Sequence, residues 1–170
     1  MTLTRALARV RVPLGFAVAA AAFWLATPTR ASLMAGCAIA TLGEALRIWA
    51  AGHLEKSREV TSSGPYRYTR HPLYLGSTLL GVGFAVAAWH PVVAGLVIGY
   101  LGLTLTAAMR AEEAHLREKF GGAYDAYAQK RAEPVARQFS AARAFYNREH
   151  HTFAGVVVAI AVLAAKLWIH

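Results

Sequence analysis

Residues 64–91 read GPYRYTRHPLYLGSTLLGVGFAVAAWHP, and they place a cationic, tyrosine-rich segment directly before a long uncharged run. A helix crosses the roughly 30 Å hydrocarbon core of a bilayer with about 17–25 residues, and the run from 73 to 89 falls at the short end of that range. Pro72 precedes the run and Pro91 follows it; proline suits the first position of a helix, where its missing N–H would have no helical acceptor. The stretch therefore predicts a membrane-spanning helix with a charged mouth at one end and a tight turn into a second helix at the other.

The composition also favours a membrane protein. Hydrophobic residues make up 56% of the 170 residues, against roughly 45–50% in soluble domains. The formal net charge of +9 would suit nucleic-acid binding, but the charges lie in a few blocks separated by long uncharged runs. A basic groove on a soluble domain is not usually built in that way. We therefore expect membrane lipids, and no nucleic acid, as partners of the chain.

Four further apolar stretches approach spanning length, so the predicted spans are 12–26, 31–51, 73–89, 92–109 and 152–169. The immediate onset of the second span favours a hairpin that begins at Met1 over a cleaved signal peptide. The predicted fold class is all-α, an integral membrane protein with about five transmembrane helices and a cytoplasmic helical cap. We expect residues 1–170 to form a single domain.

The distribution of lysine and arginine predicts the orientation. Fifteen of these residues lie before the first span or in the segments that follow the second and fourth spans, and only Arg30 and Lys166 lie on the opposite side. Because short cytoplasmic loops carry the excess of positive charge, the N-terminus and the segments 52–72 and 110–134 are predicted to be cytoplasmic. In a bacterium the membrane would be the inner one.

The polar region that begins at Arg110, RAEEAHLREKFGGAYDAYAQKRAEP, has apolar and aromatic residues at helical spacing. Gly121-Gly122 interrupts the pattern and predicts a helix, a break and a second helix that ends near Pro134. The following residues, 135–151, are basic and weakly amphipathic, and we interpret them as an interfacial connector. Tyr124 and Tyr127 are either packing residues of the amphipathic helix or part of a site.

Ionisable side chains close to a bilayer are costly and need partners, which makes them functional candidates. If the third and fourth spans form a hairpin, Arg70 and His71 face the acidic pair Glu112-Glu113. From the residues alone this cluster is either a salt bridge between loops or a functional site.

Two other pairs of ionisable residues carry weaker signals. Glu44 and Arg47 are three residues apart on one helix and are expected to pair with each other or with the cytoplasmic loops. His150-His151 is expected to be a solvated interfacial pair, because no third metal ligand is patterned nearby. We therefore expect no metal site.

The two polar segments together resemble a known family. GPYRYTRHPLYLG, followed after the hairpin by EEAHLREKFGGAYDAYAQKR, is similar to the isoprenylcysteine carboxyl methyltransferase family and its bacterial relatives. The family signature is an Arg-His-Pro-x-Tyr-x-Gly segment and a later Glu-Glu-x-x-Leu…Phe-Gly…Tyr-x-x-Tyr segment. The upstream GEALRIWAAGHL also resembles the bacterial branch, so the likeness runs from Gly43 to Pro134.

The resemblance implies an integral membrane enzyme that transfers the methyl group of S-adenosylmethionine to a carboxylate on a lipophilic or lipidated, isoprenylcysteine-like substrate. A methyl transfer of this kind needs positioning and charge management more than acid or base catalysis. By similarity, the cofactor pocket would be lined by Arg58, Glu59, Val60, Thr61, Tyr66, His71, Pro72, Leu73, Tyr74 and Gly76, with Glu112 opposite.

The residues expected to act on the acceptor are Arg70, Arg110 and Glu113. A guanidinium matches a carboxylate bidentately, which makes Arg70 and Arg110 candidates for binding the carboxylate of the cofactor or of the substrate. The eukaryotic members of the family place a substrate-binding arginine one helical turn before the acidic pair, where this chain has Ala108. Arg110 is the candidate replacement.

Three other functions remain open from the sequence. A phospholipid or lipid-amine N-methyltransferase would share the topology and cofactor but differ in acceptor. An NADPH-dependent reductase of the sterol type shares a related Arg-His-Pro-x-Tyr-x-Gly element, although an acidic residue often follows its glycine where this chain has Ser77. A non-catalytic membrane protein would keep the same helices as a platform for partners.

Overall fold

The computed structural model of the protein describes residues 3–56, 58–133 and 135–169, and of residues 3–12 and 169 it describes the backbone alone. These residues form seven α-helices, one 3₁₀ turn at Gly64–Arg67 and no strand. The helices are α1 (Leu3–Leu25), α2 (Arg30–His53), α3 (Pro72–Ala88), α4 (Pro91–Phe120), α5 (Gly122–Ala128), α6 (Ala141–Tyr146) and α7 (Glu149–Ile169).

The all-α prediction is confirmed, and each of the five predicted spans falls on one of the long helices α1, α2, α3, α4 and α7. Within the described part of the chain, α2, α4 and α7 are long and apolar enough to cross a membrane, whereas α3 and the apolar part of α1, Pro13–Leu25, are shorter. Helices α1 and α4 extend beyond the predicted spans 12–26 and 92–109. Apolar runs mark what fits in hydrocarbon, while helical hydrogen bonding continues through neighbouring charged residues.

Helices α2 and α3 pack backbone against backbone through four glycines. A Cβ atom at Gly36 would meet the carbonyl oxygen of Gly83 at 2.4 Å, and one at Gly43 would meet that of Gly76 at 2.8 Å. In each helix the two glycines are two turns apart and lie on the same face. Small residues permit this close approach, which is typical of helix pairs in membranes.

Contacts at the predicted non-cytoplasmic end connect α1 with α3 and α7, and a tight turn joins α3 to α4. Pro91 begins α4 two residues after the αL residue Trp89, with His90 as the N-cap residue, which confirms the predicted tight turn. The backbone N–H of Thr27 donates to the carbonyl of Ala88 at 2.8 Å, so the turn after α1 contacts the end of α3. The Lys166 ammonium donates to three carbonyls at the end of α1, those of Phe23, Trp24 and Ala26, at 2.6–2.7 Å. Helix α7 is thereby tied to α1.

At the opposite end α4 continues for about eleven residues past its predicted span and then breaks. Gly121 has φ +49°, a conformation that favours glycine, and it ends α4 and begins α5. The predicted helix, break and helix are confirmed, although α5 ends at Ala128 rather than near Pro134. The turn brings α5 to the 3₁₀ turn, where the Tyr127 hydroxyl donates to the Tyr66 carbonyl.

The predicted connector, 135–151, folds onto the end of α2. We call residues 135–148 the clasp. Arg143 donates to the carbonyl of Gly52 at 2.6 Å, and the Asn147 side chain donates to the carbonyl of Ala51 at 2.9 Å. These donors satisfy carbonyls at a helix end that would otherwise lack partners. The clasp therefore fixes the start of the predicted site segment 52–72.

Candidate active site at the mouth of the α3–α4 hairpin

The segment before α3 folds so that its polar side chains gather at one place. Gly64 begins the 3₁₀ turn with φ +56°, and a Cβ atom there would clash with the His53 ring at 2.5 Å. The turn buries Tyr66 and leads to His71, which caps α3, while Pro72 occupies the first helical position and is fully buried. Because Pro72 is locked in place, His71 has a fixed position at the mouth of the hairpin.

Glu113 on α4 pairs with two side chains of this segment. Its Oε1 atom lies 2.9 Å from His71 Nε2 and 3.1 Å from Arg70 Nη1. The hydrogen bond from His71 lowers the pKa of Glu113 below its ordinary value, burial opposes this effect, and the charge of Arg70 reinforces it. The predicted juxtaposition of the basic cluster with the acidic pair is therefore confirmed, with Glu113 as the partner. The His71 ring also lies 5.7 Å from that of Tyr74, between centroids.

Helix α5 covers the buried Tyr66. The Tyr127 hydroxyl donates to the Tyr66 carbonyl at 2.9 Å. Burial raises the pKa of Tyr127 to about 12, and burial together with the charge of Glu112 raises the pKa of Tyr66. Both phenols therefore stay neutral at physiological pH, and Tyr127 keeps its proton for this hydrogen bond.

The two tyrosines of α5 differ in role. Tyr124 is 1% exposed, and burial is the main cause that raises its pKa. The Arg117 guanidinium lies 5.6 Å from its ring centroid, so Tyr124 is a packing residue of the α4–α5 corner. Tyr127, by contrast, lines two of the cavities described next.

Three cavities surround this mouth. The tyrosine cavity has a volume of about 390 Å³, and its lining includes Tyr66, Arg67, Tyr68, Arg70, Tyr127 and Lys130. The α3/α4 groove, about 490 Å³, runs from His71 and Tyr74 along apolar residues of both helices, including Leu75, Leu101, Leu105 and Met109. The loop cavity, about 320 Å³, is lined by residues that include Arg58, Glu59, Val60, Phe120, Tyr127 and Glu133.

The residues expected to bind the cofactor are thus shared among three neighbouring cavities. Tyr66 lines the tyrosine cavity, His71 and Tyr74 line the α3/α4 groove, and residues 58–60 line the loop cavity. Tyr127 lies between the first and the third of these. The clasp residue Arg137 pairs with Glu59 at 2.7 Å and so holds the wall of the loop cavity.

Other expected cofactor residues serve the framework. Thr61 is buried, and its hydroxyl accepts a hydrogen bond from the Glu55 N–H at 3.2 Å. The Leu73 carbonyl accepts one from Arg47 at 3.3 Å. Gly76 faces α2, where an added Cβ would meet the Arg47 side chain at 2.5 Å.

Glu112 and Arg110 are exposed on the extension of α4. Neither side chain forms an ion pair or hydrogen bond with another residue in the described ranges. The Glu112 charge nevertheless acts on Tyr66 across the mouth. Both groups are therefore available to a bound molecule.

Glu44 and Arg47 do not pair with each other, but the expected alternative, a pairing with the predicted cytoplasmic segments, holds for Arg47, because Glu149 lies between the fourth and fifth predicted spans. Arg47 instead forms a bidentate ion pair with Glu149 of α7, at 2.6 and 3.2 Å. Glu44 is buried, and neither of its carboxylate oxygens has a hydrogen-bond donor among the described residues. The partner lies 102 residues away in sequence, at the start of α7, and no local spacing could have indicated it.

His150 stacks on the ring of Phe145 with centroids 4.1 Å apart, and His151 lies beside it. In the part of the chain that the structure describes, no three or more His, Cys, Asp or Glu side chains are grouped to hold a metal ion. The histidine pair thus packs at the junction of α6 and α7.

Comparison of the sequence with known proteins assigns the chain to a family. Residues 10–123, more than half of the chain, match the family model described as phospholipid methyltransferase. The chain is also 29% identical, over 109 residues, to the nickel-cobalt-cadmium resistance protein NccN of Alcaligenes xylosoxydans xylosoxydans; the alignment covers 63% of this chain and 49% of that protein, so the chain spans about half of its relative's length. No solved structure matches the chain. The matched range contains the positions of His71, Glu112 and Glu113, and the chain belongs to the phospholipid methyltransferase family of membrane methyltransferases.

Proposed function

We propose that the protein transfers the methyl group of S-adenosylmethionine to a carboxylate of a lipophilic, isoprenylcysteine-like acceptor at the cytoplasmic face of the membrane. One observation carries the proposal. The Arg70, His71 and Glu113 cluster stands where a polar, tyrosine-lined cavity adjoins an apolar groove along two predicted membrane helices. A water-soluble methyl donor and a lipophilic acceptor can meet only where a polar cavity adjoins an apolar one.

The tyrosine cavity suits the methyl donor in size and chemistry. Its volume of about 390 Å³ lies within the range of roughly 300–1,000 Å³ typical of small-molecule sites. Tyrosine faces attract a sulfonium by cation–π interaction. Tyr66 and Tyr127 would line the site, and Glu112, which has no donor from the described residues, would accept hydrogen bonds from the ammonium or the ribose. The cofactor supplies an electrophilic methyl group when bound.

The arginines suit an anionic acceptor. Arg110 is exposed without a carboxylate partner in the described chain, and the Arg70 side chain is 45% exposed although it pairs with Glu113. A guanidinium binds a carboxylate through two parallel hydrogen bonds. A carboxylate is nucleophilic at neutral pH, so the chain needs to orient it rather than to remove a proton. Glu113 would hold His71 and Arg70 in position for that purpose.

The α3/α4 groove gives the acceptor's apolar tail a place. Its lining beyond His71 and Thr69 is largely aliphatic, and it follows α3 and α4 into the predicted bilayer. Burial of apolar surface there stabilises a bound tail by roughly 25 cal/mol per Å². We propose that the acceptor enters laterally from the lipid. A lipid-free soluble acceptor methylated as fast as a lipidated one would contradict this entry route.

Methylation of a lipid amine is the second candidate, and the family match favours it because the matching model is described as phospholipid methyltransferase. The same groove and methyl-donor site would serve an amine acceptor. The two candidate reactions differ in what Arg110 and Arg70 would bind. With an amine acceptor they would bind the phosphate of the headgroup, and with a carboxylate acceptor they would bind the reacting group. The linkage formed in the product separates the two candidates, since a methyl ester releases methanol in mild base and a methylated amine does not.

Titration calorimetry of the purified protein tests the class of reaction. We expect S-adenosylmethionine to bind and NADPH not to bind. NADPH binding without binding of the methyl donor would support the reductase and contradict the proposal. Binding of neither would support a non-catalytic membrane protein.

A further inference from the structure

Arg47 joins three helices in the half of the bundle that carries the site. Its Nε and Nη2 atoms donate to Glu149 of α7, and Nη2 also donates to Thr152 at 3.2 Å. Its Nη1 atom donates to the Leu73 carbonyl at 3.3 Å and to the Ser77 hydroxyl, both on α3. The guanidinium's donors are thus divided between α7 and α3.

This junction is buried. The side chains of Arg47 and Glu149 are only 17% and 6% exposed. A buried guanidinium needs every donor paired, and an ion pair in low dielectric is stable only when its remaining hydrogen bonds are also made. The hydrogen bonds from Nη1 to α3 therefore depend on Glu149, which fixes the Nε and Nη2 atoms of the same guanidinium.

Of the two α3 acceptors, Leu73 lies in the first turn of the helix that carries the site and Ser77 in the second. The Leu73 carbonyl lies between His71, whose ring binds Glu113, and Tyr74, which contacts His71. Any movement of this turn shifts both side chains together, because they flank the anchored carbonyl on a rigid helix.

We infer that Arg47 and Glu149 are positioning residues: their ion pair fixes the first turn of α3 and thereby places His71 and Tyr74. Glu149 begins α7, which lies outside residues 10–123 matched by the family model. The last helix thus takes part in the site without contacting it. The consequence for methyl-donor affinity rests on the proposed function, whereas the placement of the turn does not.

Glu44 is a second carboxylate with which Arg47 could pair in place of Glu149. It lies three residues before Arg47 on the same face of α2, is 4% exposed, and has no donor among the described residues. When the Glu149 carboxylate is replaced by the amide of glutamine, Glu44 becomes the competing acceptor for the guanidinium. A swing toward Glu44 draws Arg47 away from Leu73 and Ser77.

Amide hydrogen exchange of the purified protein without any methyl donor tests the inference. In Glu149→Gln we expect the amides of residues 73–78 to exchange about tenfold faster, the order that the loss of a charge-assisted contact produces. Arg47→Lys keeps a positive charge but loses the planar set of guanidinium donors, and it is expected to speed exchange at 73–78 to the same extent. This variant replaces Glu149→Gln in the test if Glu149→Gln folds poorly.

Two matched controls define the result. Glu44→Gln removes a buried carboxylate that does not contact Arg47, and Lys166→Met removes the other tether of α7, at its far end. Neither is expected to change exchange at 73–78. Unchanged exchange in Glu149→Gln and Arg47→Lys, or an equal increase in Lys166→Met, would overturn the inference.

Calorimetry with S-adenosylmethionine then links the turn to the site. Glu149→Gln is expected to bind the methyl donor about tenfold more weakly than Lys166→Met does. If the wild-type protein binds no methyl donor, the proposed function fails, while the exchange experiment still decides whether Arg47 and Glu149 position α3.

Discussion

His71 Nε2 lies 2.9 Å from Glu113 Oε1, and this contact joins the start of α3 to the extension of α4. The two residues are 42 positions apart and meet because the tight turn at Trp89–Pro91 returns α4 alongside α3. Arg70 shares the same carboxylate oxygen at 3.1 Å. One acidic side chain, Glu113, therefore joins the segment before α3 to α4, and Glu112 lies exposed beside it.

Removing the Glu112 carboxylate tests the proposed contact with the methyl donor. We expect Glu112→Ala to bind S-adenosylmethionine about tenfold more weakly, because a charge-assisted hydrogen bond is lost, with little change in thermal stability. The matched control is Glu118→Ala, an exposed carboxylate farther along α4. Equal affinities of the two variants in calorimetry would remove Glu112 from the site.

His71→Ala is expected to weaken methyl-donor binding indirectly, because His71 shares Glu113 with Arg70, and Arg70 lines the tyrosine cavity. The chain should still fold, since Pro72 and the glycine contacts with α2 continue to place α3. Circular dichroism checks the fold and calorimetry the affinity. Wild-type affinity in a folded variant would contradict the proposed role of His71.

The stability of the protein should depend on pH through Glu113. Because its pKa is lower in the folded than in the unfolded chain, the folded state is favoured above its ordinary pKa, and this contribution is lost as pH falls through the lowered value. Thermal unfolding of Glu113→Gln between pH 7 and pH 3 should therefore show a smaller acid loss than the wild type. Parallel curves would show that the carboxylate contributes no such dependence.

The hydroxyl of Tyr127 should contribute to stability and to the wall between two cavities. Tyr127→Phe removes the hydrogen bond to the Tyr66 carbonyl and should lower the free energy of unfolding by about 1 kcal/mol. Tyr146→Phe is the control, because Tyr146 is 82% exposed. A loss of the same size in both variants would mean that the contact to Tyr66 carries no specific stability.

The glycine contacts between α2 and α3 should be intolerant of side chains. Gly43→Leu places atoms where a single Cβ already meets the Gly76 carbonyl at 2.8 Å, and overpacking of this kind costs about 1–3 kcal/mol. Gly95→Ala on α4 has no atom within 4 Å of the added carbon and should be neutral or slightly stabilising. Thermal unfolding of the two variants compares them directly, and equal stability would exclude the close packing.

The long helices and their turns followed from the sequence because apolar length and proline position act locally. Pro72 and Pro91 each begin a helix as predicted, and Gly121 breaks α4 where predicted. The meeting of His71 with Glu113 was also predictable, since a short hairpin leaves few arrangements of its two ends. These features depend on neighbouring residues or on one turn.

The remaining features depend on long-range packing. Arg47 pairs with Glu149 rather than with Glu44 because α7 packs beside α2, and helix spacing within α2 could not decide between Glu44 and a partner in the polar segments. The clasp has the composition of an interfacial segment, yet Arg143 and Asn147 satisfy carbonyls at the end of α2 that only the folded chain brings near. The division of the expected cofactor residues among three cavities likewise follows from where α5 lies.

Incubation of the membrane-embedded protein with lipid extract and S-adenosylmethionine labelled in its methyl group tests the proposed reaction most directly. We predict that the label enters the lipid fraction, that mild base releases it as methanol, and that Glu112→Ala lowers the rate while Glu118→Ala does not. Label that mild base does not release as methanol, whether it stays in lipid or leaves with a non-volatile headgroup, would establish the amine acceptor instead of the carboxylate. No transfer of label to any lipid, by a folded protein that binds NADPH, would contradict the methyltransferase reaction itself.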